Sequence, residues 1–138
     1  MARSTDAKTG LVIENPEAMF DPAPLAYSHI AITPAGARTI YLAGQGGGRH
    51  KGDYRDQVRK ALESLETAMQ SAGGDLGGVA KLTIYSVLHD EEKHAAIIAE
   101  VKRAFNDRLA PACTIVPLHQ LGTDPDMLVE IEGIGVLP

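Results

Sequence analysis

Residues 53–88 read DYRDQVRKALESLETAMQSAGGDLGGVAKLTIYSVL, and this stretch decides the fold. In its first half Val58, Ala61, Leu62, Leu65, Met69 and Ala72 recur at helical spacing, while Arg59, Lys60, Glu63, Glu66 and Gln70 take the opposite face. Asp53 suits the N-cap, because its carboxylate can accept from the unpaired amides of the first turn. Gly73-Gly74 ends the helix, as residues able to adopt left-handed backbone usually do. The period then changes to two. Ala80, Leu82, Ile84 and Leu88 share one face of a strand, and Lys81, Thr83 and Tyr85 share the other.

Toward the C-terminus, Asp90 caps a second helix, with Glu91 and Glu92 at its positive end. Ile97, Ile98, Val101, Ala104 and Phe105 form its stripe, and residues 106–111 stop it. Residues 113–118 read as a strand, and after a Gly/Asp/Pro loop residues 127–136 read as the last. Toward the N-terminus, Gly44-Gln45-Gly46-Gly47-Gly48 is a loop. Residues 28–33 and 39–43 read as two strands joined by a turn at Pro34-Ala35-Gly36, a hairpin. Residues 15–25 hold three prolines and read as extended loop. Residues 11–13 make a short edge strand, and the polar residues 1–10 read as loosely held.

The order β-ββ-α-β-α-ββ within 138 residues predicts one α+β domain, 1–138, with a mixed six-stranded sheet and two helices on one face. Strand, helix, strand implies a right-handed crossover between parallel neighbours. The uncovered face of the sheet calls for a partner, which oligomerisation supplies.

Charge narrows the function. The chain carries 44% hydrophobic and 22% charged residues with net charge −5, which is globular and acidic. Binding to nucleic-acid phosphates needs a basic face, and no Lys/Arg run provides one, so a nucleic-acid partner is disfavoured. No apolar run approaches a membrane span, residues 1–10 have no apolar core of a secretory leader, and a single Cys makes no internal disulfide. The expected setting is the cytoplasm.

Several stretches invite chemistry. The glycine run fails as a nucleotide cradle, because position 49 is Arg where a third glycine is needed and no GK[ST] follows. His29, His50, His89, His94 and His119 form no ligand-spaced pair, and one Cys cannot complete a zinc set, so no metal is expected. Cys113 reads either as a buried structural thiol or as a nucleophile needing a nearby base. Glu130 and Glu132 lie at i and i+2 of a strand, on one side and about 7 Å apart. Two such carboxylates suit proton transfer, and equally suit a solvated face or an ion pair.

Five pieces in order resemble the RidA/YjgF family, also labelled L-PSP endoribonuclease. They are Leu42-Ala43-Gly44-Gln45, Gln57-Val58-Arg59, Ala80 to Tyr85, Pro111-Ala112-Cys113-Thr114, and Val129-Glu130-Ile131-Glu132-Gly133-Ile134. The resemblance runs from Tyr27 to Val136. It implies a chorismate-mutase-like fold, a homotrimer whose sheets form an inner barrel, and small-molecule clefts between subunits. It also implies hydrolysis of reactive imines to keto acid and ammonia, without a cofactor. By the same resemblance Glu130 handles the water, and Tyr27, Ala43, Gly44, Gln45, Cys113 and Thr114 line the substrate site. The family's substrate-gripping arginine in P-A-R-S is Cys113 here, its serine is Thr114, another serine is Ala43, and a helix asparagine is Ala99. An arginine–carboxylate bond contributes about 1.5–3 kcal/mol, which a neutral Cys cannot supply. Arg49 on the glycine loop is a candidate substitute. Two functions follow: an imine deaminase with altered substrate preference, or a non-catalytic ligand-binding trimer. A ribonuclease is the third, weakened by the acidic charge.

Overall fold

The computed structural model describes residues 2–47 and 52–138. The first helix, α1 (Tyr54–Ser71), starts where the Asp53 carboxylate accepts from the Asp56 amide at 2.9 Å. It buries Val58, Ala61, Leu62, Leu65 and Met69. It ends at Gly73, whose φ of +96° lets the Gly74 amide reach back to the Met69 carbonyl at 2.9 Å. The second helix, α2 (Glu91–Ala104), is capped by Asp90 accepting from the Lys93 amide at 2.8 Å, with Glu91 and Glu92 in its first turn.

Where the helices meet, Glu100 is buried within the apolar stripe of α2. Arg59 donates to its carboxylate from Nε at 2.6 Å and Nη2 at 3.2 Å, and Arg55 Nε adds a third bond at 3.4 Å. The Arg59 bond leads in holding this carboxyl below the usual range. The guanidiniums stay about half exposed, so their net contribution is modest.

The helices cover one face of a four-stranded sheet of β4 (Arg38–Gln45), β5 (Val79–Val87), β6 (Ala112–Leu118) and β7 (Val129–Leu137). Its order is β4-β7-β5-β6, with β5 and β6 parallel and the other neighbours antiparallel. The expected parallel crossover through α2 is therefore present. Leu82, Ile84, Val129 and Ile131 face the helices and are fully buried.

The remaining strands depart from the sequence reading. Strands β1 (Ala2–Thr5), β2 (Val12–Asn15) and β3 (Ile30–Ile32) form a separate antiparallel sheet. There is thus no single six-stranded sheet, and β3 pairs with β2, not with β4. The 34–36 turn exists, with Gly36 at φ +75°, yet it passes between sheets. The reason is burial: Leu11 and Ile13 pack on Ala80 and Val136, a second cluster at one end of the face away from the helices. The segment read as loose contributes β1, whose four residues are all exposed and which is held by its ladder to β2. The turn between them is set by Asp6, which accepts from Thr9 N at 2.9 Å and Thr9 Oγ1 at 2.7 Å, and by Gly10 at φ +78°. The small sheet meets the main one where the Ser28 amide donates to the Pro111 carbonyl at 3.1 Å. The rest of the main sheet's face away from the helices stays open, with Tyr41 77% and Ile134 41% exposed.

Candidate functional site

The sequence-predicted residues fall into two groups. The first lies where β4 meets β7. Pairing runs regularly to Leu42↔Gly133 and resumes at Gln45↔Ile131, so Ala43 and Gly44 stand against Glu132 in a bulge. The bulge brings the Gly44 backbone onto the side chain of Glu130: a Cβ at position 44 would sit 2.6 Å from Glu130 Cδ and 2.7 Å from Cγ. Only glycine leaves room for this carboxylate, which is half-buried. The Gln45 amide folds back to donate to the Ala43 carbonyl at 3.2 Å. Across the sheet, Tyr85 stands opposite Glu130, and its hydroxyl donates to Glu132 Oε1 at 2.7 Å. That bond leads in raising the Tyr85 hydroxyl above its ordinary range and keeps it a donor. Glu130 and Glu132 thus share a face, and a tyrosine hydroxyl binds the second.

The second group lies at the start of β6. Pro111 is buried, Cys113 is half-buried and packs on the main core, and Thr114 is exposed. Cys113 stands beside Leu82 in parallel register, so its thiol turns toward the helix layer. Burial pushes that thiol up to about 11, only partly opposed by Lys81. A protonated thiol of this kind is a poor nucleophile. Thr114, on the other face, accepts from Lys81 Nζ at 2.7 Å. Tyr27 stands next to Ser28, which bridges to Ala112, and forms an edge-to-face trio with Phe20 and His29, at centroid distances of 6.3 and 5.6 Å.

The chain does not bring these groups together. β5 lies between β7 and β6, and Glu130 and Cys113 pair with Tyr85 and Leu82, three residues apart along it. Two strand spacings and three residues of rise separate their backbones by on the order of 14 Å, and their side chains leave opposite faces. Arg49, the candidate replacement cation, lies outside the described residues. Ala99 is half-buried on α2, and His119 is exposed.

One array escaped the sequence reading. Tyr54 Oη contacts Ser86 Oγ at 2.7 Å, Ser86 Oγ contacts His89 Nδ1 at 2.7 Å, and His89 Nε2 contacts His94 Nδ1 at 3.1 Å. The only hint was a serine at a core-facing position of β5, which needs a polar partner when buried. Among the described residues, no three His, Cys, Asp or Glu side chains gather as a metal set. No described helix is long and apolar enough to cross a membrane.

Comparison with known proteins fits this architecture. The family profile described as Endoribonuclease L-PSP matches residues 20–137. A RutC family protein of Pyrococcus horikoshii is 36% identical over 84 residues, spanning 61% of this chain and 63% of that relative. The solved structure of a conserved Rid family protein of unknown function from Yersinia pestis superposes with TM-score 0.84 at 28% identity, covering 92% of this chain and 98% of that one. A YjgF/YER057c/UK114 family member from Mycobacterium tuberculosis gives TM-score 0.62 at 25% identity, covering 92% and 99%. The class is an α+β fold with two helices on a mixed sheet. The chain belongs to the RidA/YjgF family, whose profile carries the L-PSP endoribonuclease label.

Proposed function

We propose that this chain acts as a homotrimer, its sheets forming an inner barrel, with a small-molecule cleft between neighbouring protomers that hydrolyses imines. The observation that carries this reading is the division of the site. Gly44 and Glu130 lie toward one edge of the sheet, and Tyr27, Cys113 and Thr114 lie at the other. One group can complete the other across a contact between copies: among the described residues the outer edge of β4 pairs with no strand, and β6 is met on its outer edge only at its start, by Ser28 at Ala112. In the cleft the Glu130 carboxylate takes a proton from water as the water oxygen bonds to the imine carbon. The Glu130 carboxyl hands that proton to the imine nitrogen, giving a carbinolamine. The regenerated carboxylate then relays the carbinolamine hydroxyl proton to the nitrogen as the C–N bond breaks, so ammonia leaves and a carbonyl remains. No cofactor enters this balance.

The test is ammonia release from freshly generated imines, both 2-imino acids and imines without a carboxylate, alongside sizing of the protein. A trimer with turnover that Glu130→Gln abolishes is expected. A stable monomer, or a fully active Glu130→Gln, overturns the reading. One observation favours a second function, a binding trimer without turnover: Cys113 is neutral and turned into the core, where the family's arginine would grip the substrate. Ligand-dependent thermal stabilisation with no ammonia release on any imine supports that alternative.

A further inference from the structure

Gln57, in the first turn of α1, is 1% exposed, and its side-chain amide meets backbone from two distant parts of the chain. Nε2 donates to the Gly52 carbonyl and to the Asp126 carbonyl, each at 3.1 Å, and Oε1 accepts from the Leu128 amide at 2.9 Å. Both amide hydrogens and the oxygen are therefore used, and every bond goes to main chain. These two parts of the chain flank the Glu130 carboxylate. Gly52 follows the glycine run of residues 44–48, and Leu128 stands two residues before Glu130. Nearer the carboxylate the same two parts press directly on each other. Gly44 lies on the Glu130 side chain, and a Cβ at Gly46 would run into Met127 Cε and lie 3.2 Å from the Val129 carbonyl. At Leu128 the chain enters β7: its carbonyl accepts from the Val87 amide of β5 at 2.9 Å, and Gln57 takes its amide. The β4–β7 ladder is irregular between Leu42 and Gln45, so regular pairing does not fix how Glu130 meets Gly44. The Gln57 bracket holds both segments from beyond the end of that ladder.

We propose that Gln57 is a positioning residue for Glu130. It touches no reacting atom. Through Leu128 and Gly52 it sets the carboxylate against the Gly44 backbone, and so sets where the attacking water is held. This inference rests on the proposed role of Glu130 in imine hydrolysis.

Gln57→Glu tests it. The variant keeps the shape and one oxygen for the Leu128 amide, but turns its other oxygen toward two carbonyl oxygens. Burial beside those carbonyls favours the protonated carboxyl, which regains one donor, whereas the ionised form opens the bracket. Against the parent at the same pH, kcat should fall about tenfold at about pH 8 and recover at about pH 6, with KM within about twofold. Val101→Ala, a core change on α2, is the control: it should lower Tm and keep parental kcat. Parental kcat in Gln57→Glu at the higher pH overturns the proposal, as does an equal loss of kcat in Val101→Ala. If the parent releases no ammonia from any imine, the proposed reaction fails, and the side-chain carboxyl carbon resonance of Glu130 decides the positioning role. Gln57→Glu should shift that resonance from the parental position at the higher pH and Val101→Ala should not; no shift overturns the proposal. If Gln57→Glu fails to fold, amide exchange in the parent decides: the Leu128 amide should exchange as slowly as those of β7, and exchange at the rate of an open loop overturns the bracket.

Discussion

Replacing Gly44 with alanine should displace Glu130 and leave the fold standing. Gly44 does not adopt left-handed backbone, so the new side chain brings no strain of its own. Its Cβ would lie 2.6 Å from Glu130 Cδ and 2.7 Å from Cγ, whereas carbon atoms in good contact stand about 3.5–4.0 Å apart. Glu130 must therefore retreat by about 1 Å, measured against that contact distance. The clash reaches Cγ, so a change near the root of the side chain is needed. A strained or alternative rotamer costs about 0.5–1.5 kcal/mol, which in a domain of this size lowers Tm by roughly 2–6 °C. A carboxylate misplaced by that distance costs on the order of a hundredfold in turnover. The assay pairs a thermal melt with ammonia release: a small drop in Tm, kcat down about a hundredfold and little change in KM are expected. Parental kcat in Gly44→Ala refutes the reasoning. So does a melt that collapses with the activity, because the loss then belongs to the fold.

Two further outcomes follow from titrating groups. Burial, and then the neighbouring His94, pulls the His89 imidazole below its ordinary value. The unfolded chain then takes up a proton near pH 6.5, before the folded protein does, so this contribution to stability is intact above that pH. It is lost as pH falls through the lower folded value. Thermal melts from about pH 8 to 5 should decline less steeply in His89→Gln than in the parent, and parallel curves would contradict the array as described. Cys113, pushed up to about 11, should react with iodoacetamide about a hundredfold more slowly at neutral pH than an ordinary free thiol. Mass spectrometry showing labelling as fast as free cysteine would mean the thiol is not buried.

The elements legible in the sequence are those whose signals are local. The α1 stripe from Val58 to Met69 and its Asp53 cap lie within a few turns of chain, and the alternation in β5 lies within nine residues. Glycine at 73 and aspartate at 90 need only their own backbone to act. The resemblance that pointed to Glu130, Gly44 and Cys113 likewise rests on short ordered pieces. It carries no distances, and Lys81 and Tyr85 stood in plain view as face residues without any sign of what they touch.

Sequence by itself determined the helices, most of the strands, the parallel crossover and the identity of the candidate residues, because propensity, capping and periodicity act between near neighbours. Tertiary structure decided which strands pair. Leu11 and Ile13 found Ala80 and Val136, 67 or more residues away, and so drew β2 and β3 into their own sheet. It also decided that Glu130 fills the space of a missing Cβ at Gly44, that Cys113 turns inward, and that Gln57 ties Gly52 to Leu128. Those outcomes depend on register and burial across the sheet, which pattern along the chain does not encode.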